Sequence, residues 1–254
     1  GYIYTRLGSP TQTALEERVN LLEGGAKALA QASGTAAIFN SIINLAEQGD
    51  EIVAYANLYG GTYTMFDSIL PKFGIKPHLV QPNDFAAVRA AINDNTRALY
   101  AETIGNPGLG VADIRGLASV AREYRLPLII DATFATPCLQ RPFELGADIV
   151  IHSLSKWMGG QGTAIGGIVI DSGKFDWKNP RFSLYNEPDE SDHGLRGAND
   201  TGGLPPKITR MRSGPMRNLG ACLSPDNAWL FMQGLETLPL RMERHCSNAL
   251  AVAK

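Results

Sequence analysis

Cysteine is scarce: Cys138, Cys222 and Cys246 are the only three in 254 residues. An odd number, widely spaced and without a CxxC pair, excludes a disulfide-stapled scaffold and a cysteine-built zinc site, and predicts a reducing, cytoplasmic setting. Histidine is almost as rare, and His78, His152, His193 and His245 fall at no metal-ligand spacing, so each reads as a satisfied surface or core residue. Long apolar runs are also missing; the stretches 127–130 and 149–151 are far too short to span a bilayer. Neither charge sign dominates. Lys+Arg 23 against Asp+Glu 25 leaves a formal net charge of -2, which gathers neither nucleic acid nor an anionic membrane. No apolar stretch follows a basic start, so residues 1–6 do not read as a signal peptide. GxxxxGK and GxSxG are absent, and Gly160, Gly162, Gly166 and Gly167 lack dinucleotide spacing, which argues against a nicotinamide cofactor.

What is present is an alternation. Gly8-Ser9-Pro10-Thr11 introduces a helix with Leu15, Val19 and Leu22 as its apolar stripe and Gly24-Gly25 as its stop. Strand patterns over 27–32, 51–56, 77–80, 98–102, 126–130, 149–152 and 164–170 alternate with helix patterns over 35–45, 62–70, 85–92 and 114–124. This predicts an α/β fold, with a mainly parallel seven-stranded sheet sandwiched by helices. Residues 175–215 read as a long excursion of turns, and Pro239 parts two closing helices over 227–238 and 240–253. Trp157, Trp177 and Trp229 are scattered and read as packing residues. Both ends interrupt a pattern, so the sequence reads as a piece of a longer protein.

Ligands of such sheets sit outside the carboxyl ends of the strands. There, Leu128-Ile129-Ile130 runs into Asp131, and Ile149-Val150-Ile151 runs into His152-Ser153-Leu154-Ser155-Lys156. Taken singly, Asp131 or Lys156 reads equally well as an ion-pair partner or a helix cap. Ser33-Gly34-Thr35, between a strand and a helix, adds a helix N-terminus where backbone N–H groups favour a phosphate. Ser153 and Ser155 add hydroxyl donors beside the lysine. Amine, carboxylate and phosphate cradle together are what pyridoxal phosphate (PLP) requires: the amine for its aldehyde, the carboxylate for its ring nitrogen, the cradle for its phosphate.

The chain resembles the Cys/Met-metabolism family of PLP enzymes. The carrying segments are Tyr4-Thr5-Arg6, Ser33-Gly34-Thr35-Ala36-Ala37-Ile38, Leu58-Tyr59-Gly60-Gly61-Thr62, Glu102-Thr103-Ile104-Gly105-Asn106-Pro107, Asp131-Ala132-Thr133 and the run from Ala147 to Lys156. Gly162-Thr163-Ala164-Ile165-Gly166-Gly167, Asn218 to Pro225, Gly234 to Leu238 and Arg241 to Cys246 look like its sulfhydrylase branch rather than its cystathionine lyases. The resemblance implies the fold type I aminotransferase-like large domain, with residues 1–22 as arm and first helix and 23–254 as the PLP-binding domain. It implies a small C-terminal domain, bearing the arginine that binds the substrate carboxylate, beyond Lys254.

It also implies roles. Lys156 would join the cofactor as a Schiff base and shuttle protons, and Asp131 would pair with the ring nitrogen. Gly34 and Thr35 by backbone N–H, and Ser153 and Ser155 by hydroxyl, would hold the phosphate. Tyr59 would stack on the ring and assist proton transfer, Asn106 would meet the ring hydroxyl, and Tyr4 and Arg6 would reach a neighbouring subunit's phosphate within a homodimer or homotetramer. The implied reaction replaces the acetyl group of O-acetylhomoserine by sulfide or a thiol. A methionine or cystathionine γ-lyase, an O-succinylhomoserine-using relative, and a PLP-binding chain without catalytic competence remain alternatives. Ser9, Ala132, Ser155, Trp157 and Gln161 depart from the usual Asn, Asn, Thr, Tyr and His of the family.

Overall fold

The computed structural model describes residues 2–190 and 194–254; His193 lies outside them. The strands are β1 Lys27–Gln31, β2 Glu51–Tyr55, β3 Lys76–Val80, β4 Thr96–Glu102, β5 Leu128–Asp131, β6 Ile149–Ser153 and β7 Gly167–Asp171. They form one seven-stranded sheet in the order β1-β7-β6-β5-β4-β2-β3. β7 runs antiparallel to both its neighbours, and the remaining ladders are parallel. The expected mainly parallel sheet is therefore present, with one reversed strand.

The near-continuous apolar runs of these strands reflect burial on both faces. Leu128 and Ile130 belong to one apolar cluster and Ile129 to the other; Val150 is divided likewise from Ile149 and Ile151. Helix Gly34–Ile43 lays Ile38 and Ile42 on one face, while Ile114–Glu123 lays Leu117 and Val120 on the opposite one. Because side chains alternate along a strand, the strand ends stay free of core duty and can carry polar groups.

Several expectations needed correction. In the first helix, Pro10–Glu23, the Ser9 Oγ accepts the Gln12 N–H and Gly24 closes the end in the left-handed region. Its buried face, however, runs through Gln12, Leu15, Glu16, Val19 and Glu23, and Leu22 is exposed. Polar groups are tolerated there because each finds a partner. Glu16 accepts the Ala30 N–H at 2.9 Å and pairs with Arg212 at 2.6 Å, and Glu23 meets His152 at 2.5 Å. Next, the 62–70 helix begins at Gly60 and continues through wide and tight turns to Phe73. Lastly, the 175–215 excursion contains helix Pro206–Met211, and its aromatic residues Trp177, Phe182 and Tyr185 are buried against one another. Lys207 is wholly buried beside them, its Nζ donating to the Ser41 carbonyl at 2.5 Å. Trp229, read as packing, is 54% exposed.

Candidate active site

The parallel ladder aligns Glu102 of β4 with Asp131 of β5, and Asp131 with Ile151 of β6. Their carboxyl ends therefore open onto one place. A cleft of about 640 Å³ lies there, lined by Gly34, Thr35, Tyr59, Asn106, Asp131, Ser153, Ser155 and Lys156. Residues distant in sequence converge because every contributing segment leaves the sheet at the same edge.

Ser33 caps the Gly34–Ile43 helix, its Oγ accepting the Ala36 N–H at 3.0 Å. The turn presses close to the sheet. A Cβ on Gly34 would stand 2.6 Å from the Ser153 Cβ, and one on Gly167 would stand 2.1 Å from the Ser33 carbonyl oxygen. A helix N-terminus brought this near a serine hydroxyl offers N–H and O–H donors to an anion. On the next turn, Lys156 bonds back to Ser153 through its N–H at 3.3 Å, and its side chain is exposed to the cleft. The Ser155 Oγ is tied to the following loop, accepting the Gly166 N–H at 3.0 Å and donating its O–H to the Gly166 carbonyl at 3.2 Å.

Asp131 Oδ1 accepts the Thr133 N–H at 2.9 Å, and Thr133 Oγ1 accepts the Ser153 N–H at 2.8 Å. Burial pushes the Asp131 carboxyl above the ordinary aspartate range, opposed by its Thr133 hydrogen bonds and by His152. Glu102, a strand end of the same kind, accepts the Tyr59 N–H at 2.8 Å and is pushed up to about 8 by burial and by Asp131. Two carboxyls this close do not readily both ionise. A cation arriving between the strand ends and the helix N-terminus would be stabilised, and the ring nitrogen of a phosphorylated pyridine aldehyde is such a group.

Several contributors were not foreseen. Glu102 carries the same signal as Asp131, an acid closing a buried strand, and could have been found by it. Trp157 packs against the core and His245 lies at the surface, as expected, but both also line the cleft wall, with ring centroids 4.7 Å apart. Only the fold-back of helix Leu238–Ala253 reveals this. Arg241 holds that helix to the lysine turn, donating to the carbonyls of Trp157 at 2.6 Å and Gly234 at 2.7 Å. Tyr4 and Arg6 stay outside the cleft of their own chain; Tyr4 is 58% exposed, and Arg6 donates to the Arg217 carbonyl.

Fold and donor set thus fit a class: α/β domains that hold PLP at the carboxyl edge of a sheet for amino-acid chemistry. The chain belongs to the Cys/Met metabolism PLP-dependent enzyme family, whose profile matches residues 1–254. It is 51% identical to an O-acetyl-L-homoserine sulfhydrylase of Leptospira meyeri over 261 residues, covering 100% of this chain and 59% of that protein. Among solved structures, an O-acetylhomoserine (thiol)-lyase from Campylobacter jejuni, which carries a pyridoxyl-lysine monophosphate residue, superposes with a TM-score of 0.96 at 41% identity, over 100% of this chain and 63% of that one. A cystathionine γ-lyase from Lactobacillus plantarum superposes less closely, with a TM-score of 0.81 at 36% identity over 99% and 57% of the two chains. The chain spans about 60% of the length of the curated relatives it matches. Among the described residues, no helix is long and apolar enough to cross a membrane.

Proposed function

We propose that the chain is the PLP-binding part of an enzyme that replaces the acetyl group of O-acetyl-L-homoserine by sulfide or a thiol, giving homocysteine or methionine and acetate. The observation that carries this reading is the convergence of Lys156, Asp131 and the Ser33-Gly34-Thr35 turn on one cleft. The sulfhydrylase relatives favour replacement over elimination.

In this reading the cofactor's ring, when bound, withdraws electrons from the amino-bearing carbon of the substrate. The chain's residues do the remainder. The Lys156 amine would hold the aldehyde, and once released would take the proton from the substrate α-carbon and return protons along the substrate chain. Asp131 keeps a proton on the ring nitrogen, since its negative charge beside that atom favours the protonated form. Gly34 and Thr35 give N–H groups, and Ser153 and Ser155 hydroxyls, to the phosphate. The Tyr59 ring covers one face and hands on protons, while Asn106 meets the ring hydroxyl.

Tyr4 and Arg6, outside the cleft of their own chain, would serve a second copy's phosphate within a homodimer or homotetramer, Arg6 exchanging its bond to the Arg217 carbonyl for that contact. Residues 1–22 would then act as arm and first helix, and 23–254 as the cofactor domain. A cytoplasmic location fits the three free cysteines.

Borohydride reduction of the protein loaded with PLP should label the peptide holding Lys156. Incubation of the whole protein with O-acetylhomoserine and sulfide should yield homocysteine. A label elsewhere would overturn the site, and release of a keto acid from methionine or cystathionine without replacement would move the activity to the γ-lyases.

A further inference from the structure

Glu102 has no role in the reading above, yet its surroundings are specific. It closes β4, one rung across the ladder from Asp131, and lines the same cleft at 7% exposure. Its Oε1 takes the N–H of Tyr59, which stands 43 positions earlier and immediately precedes the helical turn Gly60–Thr64. Tyr59 makes no side-chain cap of its own there. The Tyr59 ring, 48% exposed in the cleft wall, lies over Gly61, where an added Cβ would stand 2.7 Å from the ring's Cε1. The tyrosine is thus held at two points: its amide from the cleft floor, and its ring on a glycine with no side chain to displace it.

The protonation state agrees with this job. A carboxyl pushed up to about 8 is neutral at neutral pH, so it puts no second full negative charge beside Asp131. Its carbonyl oxygen still accepts a hydrogen bond.

Building on the proposed reading of the cleft, we infer that Glu102 is a positioning residue: by accepting the Tyr59 N–H it sets where the Tyr59 ring lies over the bound cofactor and substrate. An aromatic cover displaced by even a fraction of an ångström loses overlap with the ring below it and reach to the proton in transit. A carboxyl that merely satisfied a backbone amide would affect stability without touching the cofactor's environment.

The test uses E102A, E102Q and G61A in the PLP-loaded protein, read by the circular dichroism of the bound cofactor, PLP affinity, and kcat and KM for O-acetylhomoserine. Glutamine keeps a neutral oxygen acceptor of the same reach, and alanine removes it. E102A should change the sign or halve the intensity of the cofactor dichroism and lower kcat about tenfold, the scale of one lost buried hydrogen bond, with little change in KM. E102Q should restore both to within about twofold, the residual expected when a neutral acceptor is kept. G61A, which crowds the ring from the other side and leaves the Glu102 contact in place, should reproduce the dichroism change. If E102A is too unstable to load, E102Q and G61A decide the matter. Unchanged dichroism in G61A, in E102A, or an E102Q as impaired as E102A, would overturn the inference. Failure of the wild-type protein to bind PLP on Lys156 would instead sink the reading of the cleft.

Discussion

Gly34→Ala probes whether the close approach of the Ser33-Gly34-Thr35 turn to β6 makes the cleft. The new methyl would stand 2.6 Å from the Ser153 Cβ, 2.9 Å from its Oγ and 3.0 Å from its Cα. Carbon atoms are comfortable at about 3.5–4.0 Å, so the two segments must separate by roughly 1 Å. Neither yields easily. The Ser33 carbonyl already rests on Gly167, and the Ser153 N–H is fixed to the Thr133 Oγ1 at 2.8 Å. Overpacking of this kind costs about 1–3 kcal/mol, to be read as a lowered urea midpoint of the ligand-free protein with an unchanged slope. The separation also pulls the helix N-terminal N–H groups away from the Ser153 hydroxyl, and losing one good donor weakens an anion by roughly tenfold. Titration of PLP into the variant, followed by absorbance, should show that loss. Gly60→Ala is the control, since nothing lies within 4 Å of its would-be Cβ; it should be neutral or slightly stabilising, as alanine favours helix. A Gly34→Ala protein as stable as wild type, binding PLP equally well, would show that the close approach does not shape the site.

Other consequences can be checked alongside. Asp131→Asn should leave the ligand-free protein at least as stable near pH 8, because burial already disfavours that carboxylate, while turnover falls roughly 100-fold or more, the scale of one preorganised group lost from an active site. Denaturation at several pH values would reveal Glu102 in the ligand-free protein. An acid raised from 4.5 to about 8 in the fold stabilises fully below its unfolded value and loses that contribution as pH climbs towards 8, a decline of several kcal/mol that Glu102→Gln should flatten. Glu23→Ala leaves His152 without its 2.5 Å partner in a site where both side chains are essentially inaccessible, and a loss of about 3 kcal/mol is expected; a loss below about 1 kcal/mol would make the contact incidental. Arg241→Ala removes bonds to the Trp157 and Gly234 carbonyls, so amide exchange in the turn 157–160 should accelerate at least tenfold, as the freed segment opens locally.

The sheet was legible because its signal is simple. Residues such as Leu128-Ile129-Ile130 and Ile149-Val150-Ile151 are apolar at every position, as a strand covered on both faces requires, and Asp131 and Ser153 mark where each strand leaves that cover. The same rule brought Lys156 and Asp131 to one edge before any geometry was known. Glu102 satisfies the rule equally well, since it ends β4 opposite Asp131.

What escaped the sequence has a common physical origin. Periodicity records the average polarity of a face, and it cannot show which polar residue will find a partner from elsewhere in the chain. Glu16 and Glu23 look like solvent-facing acids on the first helix, yet Arg212 and His152 come from far along the sequence to meet them, and Leu22 is turned outward instead. His245 is exposed on the last helix, and nothing in its spacing shows that Arg241 clamps that helix to the lysine turn and so brings the imidazole against Trp157. These polar contacts tie the first helix to β6 and the last helix to the turn after it. A cleft assembled from strand ends is therefore held in shape by pairs that join distant segments, and those pairs are where mutation should separate stability from chemistry.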